Sequence, residues 1–362
     1  MLRRLLLLLM LILFSGPAVL SVAAADSIKL SGDIRYRHET IDQDGYDIRH
    51  RHRVRMRLKF SGTINTETKA IVQLSTGSEG PVNANQTLDN AFSSKAIWLD
   101  MAYVEYRPGR IDGLELMAGK FTVPFYRPGN SQIIWDSKLR TEGGAFAFDR
   151  TISSIDINLT GAGLWVEERA DADNTYLLGG QVSGQYEFSD NLSFRAGGSW
   201  FEYVNSDGVL PFFDTIGAYG NSLDTGGRYL CGFSPAEVFV TIDPTVAGFP
   251  VSVYFDYVRN TAADSLDNGW IAGITVGTLD RIGSWNIYYN YREVAADAVP
   301  GVFTDSNFGL GETDVSGHET AISYQLAKNS VILARAYFNQ LGVDRDNAPE
   351  YNKFHLDLKF KF

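Results

Sequence analysis

Cysteine is almost absent from this chain of 362 residues, in which Cys231 stands alone. A lone cysteine cannot form an intramolecular disulfide, so we expect no such cross-link to stabilise the fold. Histidine is scarce too, with five residues, and no serine–histidine pair or other catalytic motif can be recognised. His50 and His52 share a face and could bind a metal ion, but no third ligand is evident and a place at the outer rim is the simpler interpretation. We therefore predict no enzyme activity, no metal site and no cofactor.

Long apolar runs are missing after residue 25. The first one, Leu5 to Phe14, follows Arg3 and Arg4 and precedes a small-residue sequence that ends before Asp26. This layout predicts a cleaved signal peptide, residues 1–25. The run is also shorter than the roughly 20 residues that a spanning helix needs. Without such a helix, the mature chain is either soluble or a membrane β-barrel.

Positive charge is in short supply, with 32 basic residues against 43 acidic ones. Loss of the signal peptide removes two arginines and changes the net charge from −11 to about −13. Such acidity argues against nucleic acid as a partner.

What the sequence does contain is strict alternation of polar and apolar residues. In the segment 47–60, arginine or lysine stands at every second position from Arg49 to Lys59, with apolar residues between them near its end. A helix would scatter these charges around its circumference, whereas a strand places them on one side. The segments 28–40 and 351–362 alternate in the same way.

The same template predicts about sixteen strands in an all-β chain, an even number in the range of porins. Short links alternate with longer ones, as periplasmic turns and external loops do in bacterial outer-membrane barrels. Residues 26–362 are therefore predicted to form a transmembrane antiparallel up-and-down barrel. Its strands are expected near residues 28–40, 47–60, 66–76, 96–107, 114–122, 141–149, 154–167, 175–188, 192–204, 236–242, 250–259, 269–278, 283–293, 317–326, 331–339 and 351–362.

Aromatic residues at the predicted strand ends separate this barrel from a water-soluble β-sandwich, which would also alternate. On the apolar face they would form two girdles at the membrane interfaces. The expected girdles are Phe60, Tyr106, Phe188 and Phe362 at one end, and Tyr36, Tyr203, Tyr257 and Tyr291 at the other.

The polar face of so wide a barrel looks into water, so the basic residues are expected to line the lumen. Closure of the barrel brings the last strand beside the first two, which predicts one basic wall. This wall either attracts anions or is the solvated face that every porin has. Its predicted members are Arg35, Arg37, Arg49, Arg51, Arg53, Arg55, Arg57, Lys59, Lys353, Lys359 and Lys361.

The segment 123–140 follows the fifth strand and is rich in apolar and aromatic residues. We expect it to fold inward as a constriction loop, the alternative being an ordinary external or inter-subunit loop. Charged residues at its end could then face the basic wall and create a transverse field. These are Asp136, Lys138, Arg140 and Glu142.

Four segments of the first 150 residues resemble the proteobacterial "putative porin" family: DIRHRHRVRMRLKF, the run from VQLSTGSEG to MAYVEY, LELMAGKFTVPFY and IIWDSKLRTEGGAFAFDR. The resemblance implies an outer-membrane pore and a homotrimer. Outer-membrane lipid and lipopolysaccharide would be the surroundings, and acidic loop residues could bind bridging divalent cations or simply be solvated.

The sequence thus predicts a passive pore for small hydrophilic solutes with a preference for anions. The alternatives are a substrate-specific channel for phosphate or an organic acid, and a structural or adhesive barrel with a plugged lumen.

Overall fold

The computed structural model describes residues 28–170, 172–213, 217–343 and 348–362. The predicted signal peptide, residues 1–25, lies outside the described residues. In the described part, no helix is long and apolar enough to cross a membrane. The chain forms a 17-stranded sheet. Its strands are β1 (Ile28–Gln43), β2 (Arg49–Thr63), β3 (Thr68–Thr76), β4 (Gln86–Thr87), β5 (Ile97–Tyr106), β6 (Leu114–Thr122), β7 (Arg140–Ile152), β8 (Ile155–Glu167), β9 (Thr175–Ser189), β10 (Leu192–Val204), β11 (Pro235–Val246), β12 (Phe249–Asn260), β13 (Asn268–Gly277), β14 (Trp285–Val294), β15 (Val315–Ala327), β16 (Ser330–Leu341) and β17 (Glu350–Lys361).

The sheet closes into a ring, because β1 pairs antiparallel with both β2 and β17. Sixteen strands build this ring. The other one, β4, is a two-residue segment in the loop between β3 and β5, and it pairs with β2 on the side where β3 ends. The predicted antiparallel barrel of sixteen strands is therefore confirmed.

Every predicted strand has its counterpart, and half of them run longer than the alternation indicated. The segment predicted as 236–242, for example, is β11, Pro235–Val246. The ladder to the neighbouring strand continues through residues whose side chains break the polar–apolar pattern.

Side chains alternate between a lipid-facing and a lumenal face. On β1, Arg35 and Arg37 are 6% and 5% exposed, whereas Ile34 and Tyr36 beside them are 43% and 42% exposed. Seven of the eight predicted girdle residues share the outward face of their strands. Tyr203 is the exception: it is buried, opposite the buried Leu177, on the lumenal side. The girdle prediction was wrong at this residue because Tyr203 packs against residues that fill the lumen.

Candidate pore lining

The basic wall predicted from the sequence belongs to three adjacent strands. In the β1–β2 ladder, Arg35 stands opposite Arg55 and Arg37 opposite Arg53. In the β1–β17 ladder, Lys359 stands opposite Arg35. All eleven predicted basic residues lie at alternate positions of β1, β2 and β17, on the face that carries the buried Arg35 and Arg37.

Three carboxylates interrupt the wall, so it is not continuously basic. Asp33 and Glu39 lie on the lumenal face of β1, and Asp357 lies on that of β17. Glu39 and Asp357 are 1% and 0% exposed. The prediction of one continuous basic wall was wrong in this respect, although the alternation itself already placed these acids on the same face.

Each carboxylate is shared among arginines. Asp357 accepts two hydrogen bonds from Arg37, one from Nε at 2.6 Å and one from Nη2 at 2.8 Å. Asp33 pairs with Arg55 at 2.5 Å and with Arg57 at 2.6 Å. Such bidentate and bridged pairs hold the guanidinium planes in fixed positions along the wall.

Glu39 holds the external part of the same network. It pairs with Arg51, and its Oε2 lies 2.9 Å from Nε2 of the buried His355. Arg53 is more distant, at 3.8 Å from Oε2, and makes no hydrogen bond to it. Three acids therefore hold four of the arginines closely, and an excess of positive charge is left over.

The segment 123–139, between β6 and β7, lies inside the ring. The backbone N–H of Tyr126 donates to Oε1 of Gln181 on β9 at 2.7 Å, and its hydroxyl lies 3.3 Å from that of Thr241 on β11. Gly129 has φ +55°, and a Cβ there would lie 2.1 Å from the ring of Tyr254 on β12. Only glycine allows this close approach to the inner wall.

An apolar cluster fills the part of the lumen that this segment reaches. Phe201 of β10 packs edge-on against Phe125 and Trp135, with ring centroids 4.9 Å and 5.2 Å away. The buried members come from the segment 121–139, from β8, β9, β10, β12, β13 and β14, and from the loops after β10 and β14: Phe121, Phe125, Ile133, Ile134, Trp135, Leu139, Leu164, Leu177, Phe201, Tyr203, Phe212, Tyr229, Phe233, Tyr254, Val258, Ile271, Val294, Ala298, Val299 and Val302.

A second loop, 295–314 between β14 and β15, also folds inward, which the polar–apolar pattern does not predict. The backbone N–H of Asp136 donates to the carbonyl of Phe303 at 2.7 Å, and that of Ser306 donates to Oδ2 of Asp136 at 2.9 Å. From there the loop reaches the basic wall, where Nζ of Lys353 donates to the carbonyl of Asn307 at 2.9 Å. The two loops together bridge the lumen.

Asp305 anchors this second loop to the barrel. Its Oδ2 lies 3.0 Å from Nη1 of Arg292 on β14, and both side chains are buried. Burial alone would raise the pKa of Asp305, but the positive charges of Arg292 and Lys138 lower it to about 2. The carboxylate therefore stays charged at neutral pH.

The charged residues of the predicted constriction loop have different environments. Asp136 is 1% exposed and lies 3.2 Å from the ammonium of Lys138. Burial lowers the pKa of Lys138, which Asp136 and Asp305 partly offset. Arg140 donates to Asp100 of β5 at 3.2 Å.

Glu142 does not face the lumen. It pairs with Lys120 across β6 and β7, one residue away from Phe121 and Thr141, which are buried on the lumenal side. Because successive side chains of a strand point to opposite faces, this pair lies on the outer surface. Neither acid therefore faces the basic wall as expected: Asp136 is already paired and Glu142 points away.

Instead, basic loop residues approach the wall. Lys138 lies within electrostatic reach of Arg35, and Arg140 within reach of Arg57. They line a cavity of about 800 Å³, which is also bounded by Asn83 of the loop after β3. Asp100, Glu167 and Glu168 line the same cavity, whereas none of the eleven residues of the basic wall does.

The histidines expected at the rim lie on the outer surface. His38 of β1 stands between His50 and His52, with ring centroids 5.8 Å and 4.9 Å away. His38 becomes their neighbour through the β1–β2 pairing, which the alternation within a single segment does not show. Across the described residues, no group of three or more histidine, cysteine or acidic side chains is arranged to hold a metal ion.

Cys231 is a free, half-buried thiol in the loop after β10. Burial and the nearby charges of Asp297, Asp207 and Asp264 raise its pKa to about 12. The thiol is therefore protonated and poorly reactive at neutral pH.

A closed sixteen-strand barrel with an apolar outer face and a charged lumen defines the class of outer-membrane pores. The sequence matches the family described as "Putative porin" over residues 41–226 and 231–362, and the chain belongs to this family. No curated protein matches it in sequence.

Solved structures share the fold at low sequence identity. OprB of Pseudomonas putida, determined at high pH, has a TM-score of 0.62 and 10% identity, with 93% of this chain and 94% of that chain covered. Salmonella typhi OmpF in complex with daunomycin has a TM-score of 0.56 and 12% identity, with 93% and 98% covered. A loop L8 deletion mutant of Vibrio cholerae OmpT has a TM-score of 0.54 and 11% identity, with 93% and 99% covered. The family and the fold are those of an outer-membrane channel rather than an enzyme.

Proposed function

We propose that this protein is a passive channel for small hydrophilic solutes that favours anions. The observation that carries the proposal is the charge imbalance of one wall of the lumen, where eleven basic residues on β1, β2 and β17 meet three carboxylates. Charged rings and walls of one sign raise the local concentration of the opposite ion. Lys138 and Arg140 approach the wall from the loop, but Asp136 and Asp100 pair with them, so they add no net charge.

The segment 123–140 acts as the constriction in this proposal. Its contacts with β9, β11 and β12 support that role, since they draw the segment across the lumen and confine solutes to the side of the basic wall. The family membership favours a homotrimer in a membrane of lipid and lipopolysaccharide, reached after removal of residues 1–25.

Single-channel recording of the purified chain in a planar bilayer tests this function. With a salt gradient across the bilayer, we expect open-channel current and a reversal potential of the sign that chloride preference produces. A reversal potential of the opposite sign would contradict the anion preference.

The apolar cluster favours one other candidate, a structural or adhesive barrel with a plugged lumen. Twenty buried residues from strands and loops pack together inside the ring. Such a barrel would give no conductance in the same recording, so one experiment separates the two functions.

A further inference from the structure

Arg35 and Arg53 of the basic wall differ from Arg37, Arg51 and Arg55 in the hydrogen bonds that their guanidinium groups make. In Arg37, Arg51 and Arg55, the edge that carries Nε and Nη2 donates both hydrogen bonds to one carboxylate. In Arg35 and Arg53, this edge is half filled. Nη2 donates to an asparagine oxygen, and Nε has no hydrogen-bond partner within the described residues.

The two asparagines belong to the loop between β3 and β5. Oδ1 of Asn85 accepts from Arg35, and Oδ1 of Asn83 lies 3.4 Å from Nη2 of Arg53. The short strand β4 positions them, because its Thr87 pairs with Arg53 in the ladder to β2. An asparagine side chain offers one oxygen, whereas the Nε–Nη2 edge of an arginine can donate to two. The neutral amide also leaves the positive charge of the guanidinium uncompensated.

The carboxylates of the wall do not make up this deficit. The closest one to Arg35 is Asp357, whose Oδ2 lies 3.6 Å from Nη1 and already accepts from Arg37. Glu39 is 3.8 Å from Arg53 and is held by Arg51. Arg35 is only 6% exposed. A buried guanidinium with an unmet donor is costly, and a two-oxygen anion would complete both the hydrogen bonds and the charge.

We propose that Arg35 and Arg53 form a binding site for an oxyanion, a carboxylate or a phosphate, which displaces Asn83 and Asn85 as it binds. This inference rests on the proposed function and narrows its substrate class. Asn83 also lines the cavity of about 800 Å³ that Lys138 borders, so displacement of Asn83 would open the site toward that cavity. The asparagines act as tethered, uncharged substitutes for the solute, so the site empties readily and suits conduction.

The test measures block of chloride current by inorganic phosphate and, in a parallel series, by acetate. In the native chain we expect block that saturates with anion concentration. Arg53→Ser should raise the half-blocking concentration at least tenfold. Asn85→Asp should raise the half-blocking concentration in the same way, because the new carboxylate stays bound to Arg35. The size of the side chain does not change in this variant. Arg195→Ser, a lumenal arginine on β10 bonded to Gln185, should leave the concentration within about twofold.

The site is supported if either anion blocks the current in a saturable way and if both Arg53→Ser and Asn85→Asp weaken that block. The anion that blocks then identifies the oxyanion. An absence of block by both, or equal block in all four proteins, overturns it. Chloride conductance in each variant shows that the barrel has folded. If the native chain conducts no ions, the proposed channel function fails, and calorimetric titration of the detergent-solubilised chain with phosphate and acetate still decides the site: binding weakened by Arg53→Ser supports it, and no binding overturns it.

Discussion

The two sides of the lumen satisfy their side chains in different ways. On β1, β2 and β17, charged residues pair within the wall itself, and arginines such as Arg57 keep part of their surface open, with 25% of its side chain exposed. On β8 to β14, apolar side chains such as Phe201, which is 0% exposed, are covered by the inward loops. A wall that is polar can stay hydrated, whereas an apolar one must be covered. This difference supports the proposal that solutes pass beside the basic wall.

The largest predicted effect comes from the apolar side. Phe201→Ala removes the ring that packs on Phe125 and Trp135, and a buried Phe→Ala change costs about 3–5 kcal/mol. We expect this loss in urea unfolding, together with faster proteolysis of the segment 123–139 and a larger single-channel conductance.

Phe255→Ala is the matched control, because Phe255 is 40% exposed on the outer face of β12. Lipid fills the space that the ring leaves, so no cavity forms. Equal conductance changes in the two variants would contradict the packing of the inward loop on Phe201.

On the charged side, Asp357→Asn should cost about 2–4 kcal/mol, because the fully buried carboxylate that holds Arg37 loses its charge. Asp33→Asn should cost less, since Asp33 keeps 14% exposure and water can solvate its arginines. Urea unfolding of both variants measures the difference. A larger loss for Asp33→Asn would show that burial does not govern these pairs.

The sequence predicted the charged side better than the apolar side. Alternation at period two fixes the face of a side chain, so the strands, the ring and the placement of Arg35 or Arg53 followed from the pattern alone. It carries no information about which loops return into the lumen. Tyr203 was therefore assigned to a girdle, and the pattern did not indicate that the loop 295–314 folds inward.

The alternation also did not predict which acid of the wall pairs with which arginine, for a different reason. The choice of Asp33 for Arg55 and Arg57, and of Glu39 for Arg51, depends on register between strands. A shift of one residue in a ladder would exchange the faces and break every pair.

The loop 295–314 lies between the basic wall and the apolar side of the lumen, and we expect acid to release it. The pKa of Asp305 lies at about 2, below its unfolded value, so its stabilising contribution is complete above about pH 4 and is lost as the pH falls through about 2. Limited proteolysis with an acid-stable protease should find the loop protected at pH 4 and cleaved near pH 2.

Asp305→Asn removes this carboxylate, so we expect the loop to be cleaved at both pH values. The idea fails if the variant keeps the pH dependence of the native chain, because another group would then hold the loop.

The smallest predicted effect is a difference between two nearby residues of β7. Arg140→Gln should weaken anion preference slightly, whereas Glu142→Gln should leave it unchanged, because Glu142 lies on the outer surface with Lys120. An exposed pair of this kind contributes about 0–1 kcal/mol to stability. Reversal potentials of both variants check the assignment, and a shift for Glu142→Gln alone would reverse it.

The proposed role of the basic wall is to set the selectivity of the channel. Its most direct test is the reversal potential in a salt gradient for a variant with Arg51, Arg53 and Arg55 changed to serine, beside Arg195→Ser on β10 as the control. We predict a clear shift toward cation preference for the wall variant, larger than three times the shift of the single control. A reversal potential that does not move in the wall variant would contradict the claim.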